Sequence, residues 1–251
     1  MTAKLSIADE LSQISTEEIK NKLLELTKGR DTESLSRKIS FYKNELEPFF
    51  EELSRRNPFP TAEEQVPICL GVWSPVWSTI PFQDIFPGRL RDQSYQIFHD
   101  NGYYANIARY APGHQLSFLQ KISSTLVAYD FMVLQKYTVK DGYWHIQNVG
   151  IEQSFRIGGI PLDIEKAENW FTTIVESRLQ EPHRKANSLK APELKNLDKS
   201  TTKKFQKIFL ATPQLEHLYI DHEFRLLKTQ RESKQRPSYT IAVRRKVHQS
   251  V

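Results

Sequence analysis

The densest group of reactive side chains lies late in the chain, where His217, Asp221, His222 and Glu223 follow one another closely. Imidazoles and carboxylates at such short spacing can form a metal site or an acid–base pair. The run that carries them is strand-like, and along a strand successive side chains point to opposite faces. His217 and Asp221 then share one face while His222 takes the other, so the group does not converge on one ion. The chain also has no Gly-rich phosphate loop, no Gly-x-Ser-x-Gly and no His-Glu-x-x-His. The single cysteine, Cys69, excludes an internal disulfide framework and a multi-cysteine metal site. Its apolar, strand-like setting suits a packed, inert thiol. The expectation is a non-enzymatic protein with no catalytic residue, metal or cofactor.

Aromatic rings and amides are what the chain offers instead. Two β-rich segments flank Asn101-Gly102, the signature of a type I′ hairpin with positive φ at both central residues. In that register Tyr95, Ile97, His99, Tyr104, Asn106, Ala108 and Tyr110 share one face. Gln96, Phe98, Ala105, Ile107 and Arg109 take the other. Neither face is purely polar, and the aromatic-rich one is the preferred lining. Tyrosines accompanied by His99 and Asn106 suit a ligand that is apolar along its length with a few polar anchors.

A second hairpin turns at Asp141-Gly142. With Lys140 opposite Tyr143, one face holds Phe131, Val133, Tyr137, Val139, Trp144 and Ile146. The other holds Lys136, Thr138, Lys140 and His145, a clean division of inside from outside. Gln135 and Asn148 meet on the apolar face, where two buried amides can bond each other. The candidate ligand contacts are therefore Tyr95, His99, Tyr104, Asn106, Tyr110, Tyr137 and Trp144.

These residues need a scaffold, and the pattern supplies one. Ser15 and Glu18 form a capping box, followed by Ile19, Leu23 and Leu26 on one helical face and by Gly29 as the stop. Leu35, Ile39, Tyr42, Leu46, Phe49 and Leu53 make a second helical stripe, kinked or split by Pro48. The stripe is short for a coiled coil, so it is expected to fold onto the rest of this chain. Helices end at Asn57-Pro58, and from Gln65 the period becomes that of strands. Gly71-Val72-Trp73 opens the first strand, and Pro112-Gly113-His114 marks a turn.

Further strands are expected at 115–121, 125–140, 143–157, 170–177, 206–210, 215–228 and 238–246. Gly158-Gly159 marks a corner that lets the sheet curl. The whole predicts a mostly β protein: a helical segment over 1–60 and an antiparallel barrel over 61–251. A basic insertion near 182–204 carries Arg184, Lys185, Lys190, Lys195, Lys199, Lys203 and Lys204 against Glu193 and Asp198.

A chain of 251 residues is ample for a core without staples, and its formal charge of +5 permits contact with an anionic membrane surface. The basic residues gather in the insertion and the C-terminal segment, while the aromatics gather on presumed inner faces. That separation argues against nucleic acid as the partner. Residues 1–15 lack the basic start and apolar run of a secretory signal, and no stretch is long enough to span a bilayer. The expected location is cytoplasmic or peripheral on a membrane.

The pieces resemble the plastid lipid-associated protein (PAP)/fibrillin family of chloroplasts and cyanobacteria. The likeness is carried by Leu46-Glu47 with Asn57-Pro58 and by Leu70-Gly71-Val72-Trp73 followed by Trp77-Ser78-Thr79. It continues through Tyr219-Ile220-Asp221-His222-Glu223-Phe224-Arg225 and the terminal strand at 239–244. It spans most of residues 35–246, and the order of the motifs is more specific than any one of them. The chain departs from the family in the long, glycine-free stretch 226–237 and in the 182–204 insertion.

The resemblance implies a lipocalin-like barrel that binds a lipid, quinone, carotenoid or other isoprenoid near thylakoid membranes, in a structural or photoprotective role. It brings no catalytic residue. The lack of a transit peptide resembles a cyanobacterial member. The likeness also marks Gly71, Trp73, Asp221, Arg225 and Arg244 as structural, with Trp73 packing against Arg244 or Arg225 through cation–π contact. The alternatives are a lipocalin-like bilin-binding or lyase protein, and a ligand-free scaffold for a protein partner.

Overall fold

The computed structural model describes residues 7–81, 88–111, 128–156, 160–180, 213–230 and 235–246. Eight antiparallel strands close into a barrel in sequence order. They are β1 (Gly71–Ser78), β2 (Arg89–Phe98), β3 (Tyr103–Tyr110), β4 (Ala128–Lys140), β5 (Tyr143–Arg156), β6 (Gln214–Ile220), β7 (Phe224–Gln230) and β8 (Ser238–Arg245). β8 returns to pair with β1, so neither keeps an open edge for stray association. The expected fold class, a mostly β, lipocalin-like antiparallel barrel with a helical segment before it, is what the chain adopts.

The helical segment comprises α1 (Ile7–Ser12), α2 (Thr16–Thr27), α3 (Leu35–Phe41) and α4 (Glu47–Arg55). The Ser15 capping box is formed, its hydroxyl accepting from the Glu18 amide at 3.2 Å while Glu18 accepts from the Ser15 amide at 2.9 Å. The stripe at 35–53 is interrupted before Pro48, whose ring nitrogen cannot donate, by a π-helical turn over Tyr42–Leu46. Ile19, Leu23, Leu46, Phe50 and Leu53 then pack on Trp77, Phe224, Leu226 and Ile241, which form the outer face of β1, β7 and β8. The stripe therefore folds onto its own barrel. Leu26, expected on the packed face of α2, is instead exposed.

Two charged staples hold this layer in place. Asp31 accepts from the Ser78 amide at 3.0 Å and from Arg91 Nε at 2.7 Å. Lys20 reaches Asp221 at 2.6 Å, and Asp221 also accepts from the amides of Glu223 and Phe224 to shape the β6–β7 turn. His217 therefore lies in β6 while His222 lies within the tight turn that follows it, and no group of metal-ligating side chains exists among the described residues.

The sequence places three stretches wrongly. The strand expected at 215–228 is two, β6 and β7, with residues 221–223 in the turn that Asp221 shapes between them. The 170–177 stretch, expected as a strand, lies inside a helix, α6 (Ile164–Gln180 here). Its buried residues, Ala167, Phe171 and Val175, recur every four positions and settle on the outer face of β2–β4 beside Ile97, Ala105, Ile107, Met132 and Leu134. Tertiary burial overrides the β-branched propensity of Thr172–Val175. Residues 62–69 also form a helix, α5 (Ala62–Cys69), so Cys69 ends a helix and does not lie in a strand. Thr61 and Glu64 supply its capping box.

The expected strands at 115–121 and 206–210, the turn at Pro112-Gly113, the corner at Gly158-Gly159 and the basic insertion at 182–204 lie outside the described residues.

The two hairpins diverge. At Asp141-Gly142 both residues have positive φ, 54° and 75°, and Lys140 faces Tyr143 as expected. At the first hairpin only Gly102 has positive φ, 79°. Phe98 faces Tyr104 there, and the His99 amide donates to the Tyr103 carbonyl. The loop is therefore Asp100-Asn101-Gly102, one residue longer than a type I′ turn, with Gly102 in the left-handed position of the longer turn. A slip of one residue exchanges the two faces of one strand against the other.

α6 is the outer lid of the β2–β4 wall, and Phe171 is its fully buried anchor. Phe171→Ala is expected to cost about 3–5 kcal/mol, as large core truncations do. Urea unfolding measures it, and a loss under about 1 kcal/mol would mean that α6 contributes little to the barrel.

Candidate ligand-binding site

The barrel is filled at one end and hollow at the other. α5 crosses the filled end, where Cys69, Trp73, Phe98, Tyr104, Tyr137, Trp144, Ile220 and Ala242 pack as one cluster. Gly71 lets the chain enter β1 beneath it. Its φ is +100°, and a Cβ there would stand 3.0 Å from Arg244 Nη1. Trp73 lies between two guanidinium groups, Arg225 at 4.7 Å and Arg244 at 4.2 Å from its ring, and its indole N–H donates to the Cys69 carbonyl at 2.7 Å. Both arginines named from the sequence therefore reach this ring. Arg244 goes on to cap the last carbonyls of α5, those of Ile68 and Leu70.

A line of polar groups rises from this floor. Arg225 is fully buried; its Nη1 donates to Cys69 Sγ at 3.0 Å and its Nη2 to Gln96 Oε1 at 2.6 Å. Gln96 then donates to Asn106 Oδ1 at 2.9 Å. Asn106 donates to the Tyr104 hydroxyl at 2.5 Å and to Gln135 Oε1 at 2.6 Å. Gln135 donates to Asn148 Oδ1 at 2.6 Å, so the expected pairing of these two amides is present. Because arginine carries only donors, it fixes which way every amide in the line points.

Above the line is a cavity of about 380 Å³. Gln96, Tyr104, Asn106 and Gln135 form its polar side, and Ile146, Leu215 and Leu227 its apolar side. Thr229, Ser238 and Thr240 add hydroxyls, and Ile80, Pro81, Gln235 and Arg236 stand at the mouth. This volume lies within the range of small-molecule sites, roughly 300–1,000 Å³.

The residues expected to touch a ligand are spread over several places. Tyr104 and Asn106 line the cavity. Tyr137 and Trp144 lie in the packed layer below it; the Tyr137 hydroxyl donates to the His99 carbonyl at 2.7 Å and the Trp144 indole to Gln65 at 3.1 Å. Tyr110 is buried against Tyr129, with ring centroids 5.5 Å apart, outside the cavity lining. Tyr95 and His99 are corrections. They point outward beneath α6, where Tyr95 donates to the Leu162 carbonyl at 2.9 Å and His99 packs on Phe171 at 4.4 Å. Gln96 takes the inner place instead, and only the true hairpin register reveals it.

A second buried group lies below the floor. Gln65, aimed inward by α5, accepts from Trp144 Nε1 and contacts His217 Nδ1 at 3.1 Å, while its amide nitrogen donates to the Phe59 carbonyl. An indole can only donate, so the Gln65 oxygen is the acceptor and His217 carries its proton on Nδ1. His217 Nε2 then faces the Cys69 thiol at 3.9 Å. Burial, reinforced by the Arg225 charge, holds the imidazole well below its ordinary range. Burial likewise pushes the Cys69 thiol up, against the opposing pull of Arg225 and Arg244. Both groups are neutral near pH 7, and both are buried. The Thr61–Glu64 capping box is the sequence signal that announces α5 and hence Gln65.

No protein-family model matches the chain, and no curated protein matches it.

Two outcomes are expected at the floor. Trp73→Ala should cost about 3–5 kcal/mol and leave both guanidinium groups facing a void; an unchanged melting temperature would contradict the packing. His217 binds its proton far more weakly folded than unfolded, so its contribution is whole above about pH 6.5 and is lost as pH falls below it. Unfolding free energy should therefore fall as pH drops through 6.5, the slope from this group alone approaching about 1.4 kcal/mol per pH unit about one unit lower. Denaturant titrations of His217→Asn should lack that component.

Proposed function

We propose that the chain binds a hydrophobic or amphiphilic small molecule in the open half of its barrel, as a carrier or store and not as a catalyst. The observation that carries this reading is the cavity itself, with an apolar wall opposite a wall of amides and hydroxyls. A barrel filled for stability alone would use aliphatic side chains there, since each buried polar group needs a partner. The one cysteine and the buried imidazole sit beneath the floor, where a molecule in the cavity does not meet them.

The resemblance to the PAP/fibrillin family supports the same reading and supplies the setting. Its motif residues Gly71, Trp73, Asp221, Arg225 and Arg244 occupy the floor and the β6–β7 turn that the barrel is built around. In that setting the ligand is a lipid, quinone or other isoprenoid and the protein works beside a photosynthetic membrane. No described helix is long and apolar enough to cross one.

Titration with long-chain amphiphiles should quench tryptophan emission saturably, because Trp144 packs against Leu215 and Ile146 just under the cavity. Leu227→Trp, which fills the cavity, should weaken binding at least 10-fold while the fold is kept, as loss of most of the apolar contact area implies. His99→Ala, on the outer face, should leave binding unchanged. Wild-type protein that takes up no amphiphile, and carries none in organic extracts, would overturn the reading.

A further inference from the structure

Resting on the container reading, we propose that the head group accepted by the barrel is a carboxylate, the ligand being a long-chain acid. Its oxygens meet the amide line and Tyr104, and its chain lies along Ile146, Leu215 and Leu227.

The first reason is an uncompensated charge. Arg225 is fully buried, its partners are a thiol, an amide oxygen and the rings of Trp73 and Phe98, and it forms no ion pair with a carboxylate among the described residues. Its Nε has no hydrogen-bond partner. A buried cation of this kind is costly unless an anion lies near. Among the described residues no aspartate or glutamate lines the cavity one amide away, and Arg236, which stands at the mouth, is also a cation.

The second reason is polarity. Each amide oxygen in the line is turned back toward Arg225, so what passes on toward the cavity is N–H. Both hydrogens of the Asn106 amide are spent, one on Tyr104 and one on Gln135. The second amide hydrogens of Gln96 and Gln135 have no acceptor among the described residues. The Tyr104 oxygen is occupied as an acceptor, which leaves its O–H to donate, and no described residue accepts it. Burial pushes this hydroxyl up to about 12, so the proton stays on.

A ligand group that fits must accept several hydrogen bonds, donate none and bring negative charge. An ionised carboxylate does all three. An alcohol or amine competes as a donor, and an ester or quinone carbonyl lacks the charge.

The test compares ligands of one chain length by isothermal titration: dodecanoic acid, dodecanol and the methyl ester of dodecanoic acid. At pH 8 the acid should bind at least 10-fold more tightly than the alcohol or the ester, the scale of a hydrogen bond to a charged group. Tyr104→Phe removes the free O–H with almost no change of shape and should lower affinity for the acid several-fold while leaving the alcohol within about 2-fold. Gln96→Leu should reduce acid binding further, and its folding is checked by the retained binding of the alcohol. If alcohol or ester binds as tightly as the acid, or if Tyr104→Phe weakens all three equally, the head-group assignment is wrong and the container reading survives. If none of the three binds, both fail together.

Discussion

The barrel depends on one buried cation. Arg225 sits where the floor cluster meets the hollow half, and almost every notable feature of the interior touches it. Trp73 and Phe98 offer their ring faces, Cys69 its sulfur and Gln96 its oxygen. A guanidinium cannot shed its proton in a protein, so the surroundings must adapt to a fixed charge. They do so by turning amide oxygens toward it and by keeping His217 neutral. The orientation of four amides from four different strands follows from that single constraint.

The outside of the barrel solves a different problem. Strands whose side chains alternate between an apolar interior and an apolar exterior cannot face water on both sides. β1, β7 and β8 are covered by α1–α4, and β2–β4 by α6. This double burial explains why periodicity alone could not assign the inner face of the first hairpin. Tyr95, Ile97 and Ile107 are as buried as Phe98 and Tyr104, although a helix and not the barrel interior covers them.

Much of the fold was legible in the sequence. Asp141-Gly142 encodes its own turn, and from Lys140 opposite Tyr143 the inner residues of β4 and β5 follow as far as Gln135 and Asn148. There a bulge shifts the register by one, which no local pattern announces. Gly71-Val72-Trp73 with Arg225 and Arg244 marked the floor. The cavity lining was half legible: Tyr104 and Asn106 face it, while Tyr95 and His99 lie under α6. An Asn-Gly pair serves a two-residue loop and a three-residue loop alike, and pairing across the whole sheet decides between them. α6 was hidden by its run of threonine, isoleucine and valine, although Asp163 accepts from the Lys166 amide at 2.9 Å as helix N-caps do.

The barrel is a ring, yet its stitching is uneven. β4 and β5 pair along thirteen positions; in the described residues β5 meets β6 at Trp144 and His145, and the Ile146 amide donates to the Pro213 carbonyl at 3.2 Å. Cross-strand pairs are the units that hold a sheet together, so β4–β5 is the longest-paired seam among the described residues. Gln135 and Asn148 face each other across it. The far end of the amide line is therefore stitched into that seam, and a guest's head group meets a fixed surface where it reaches those amides.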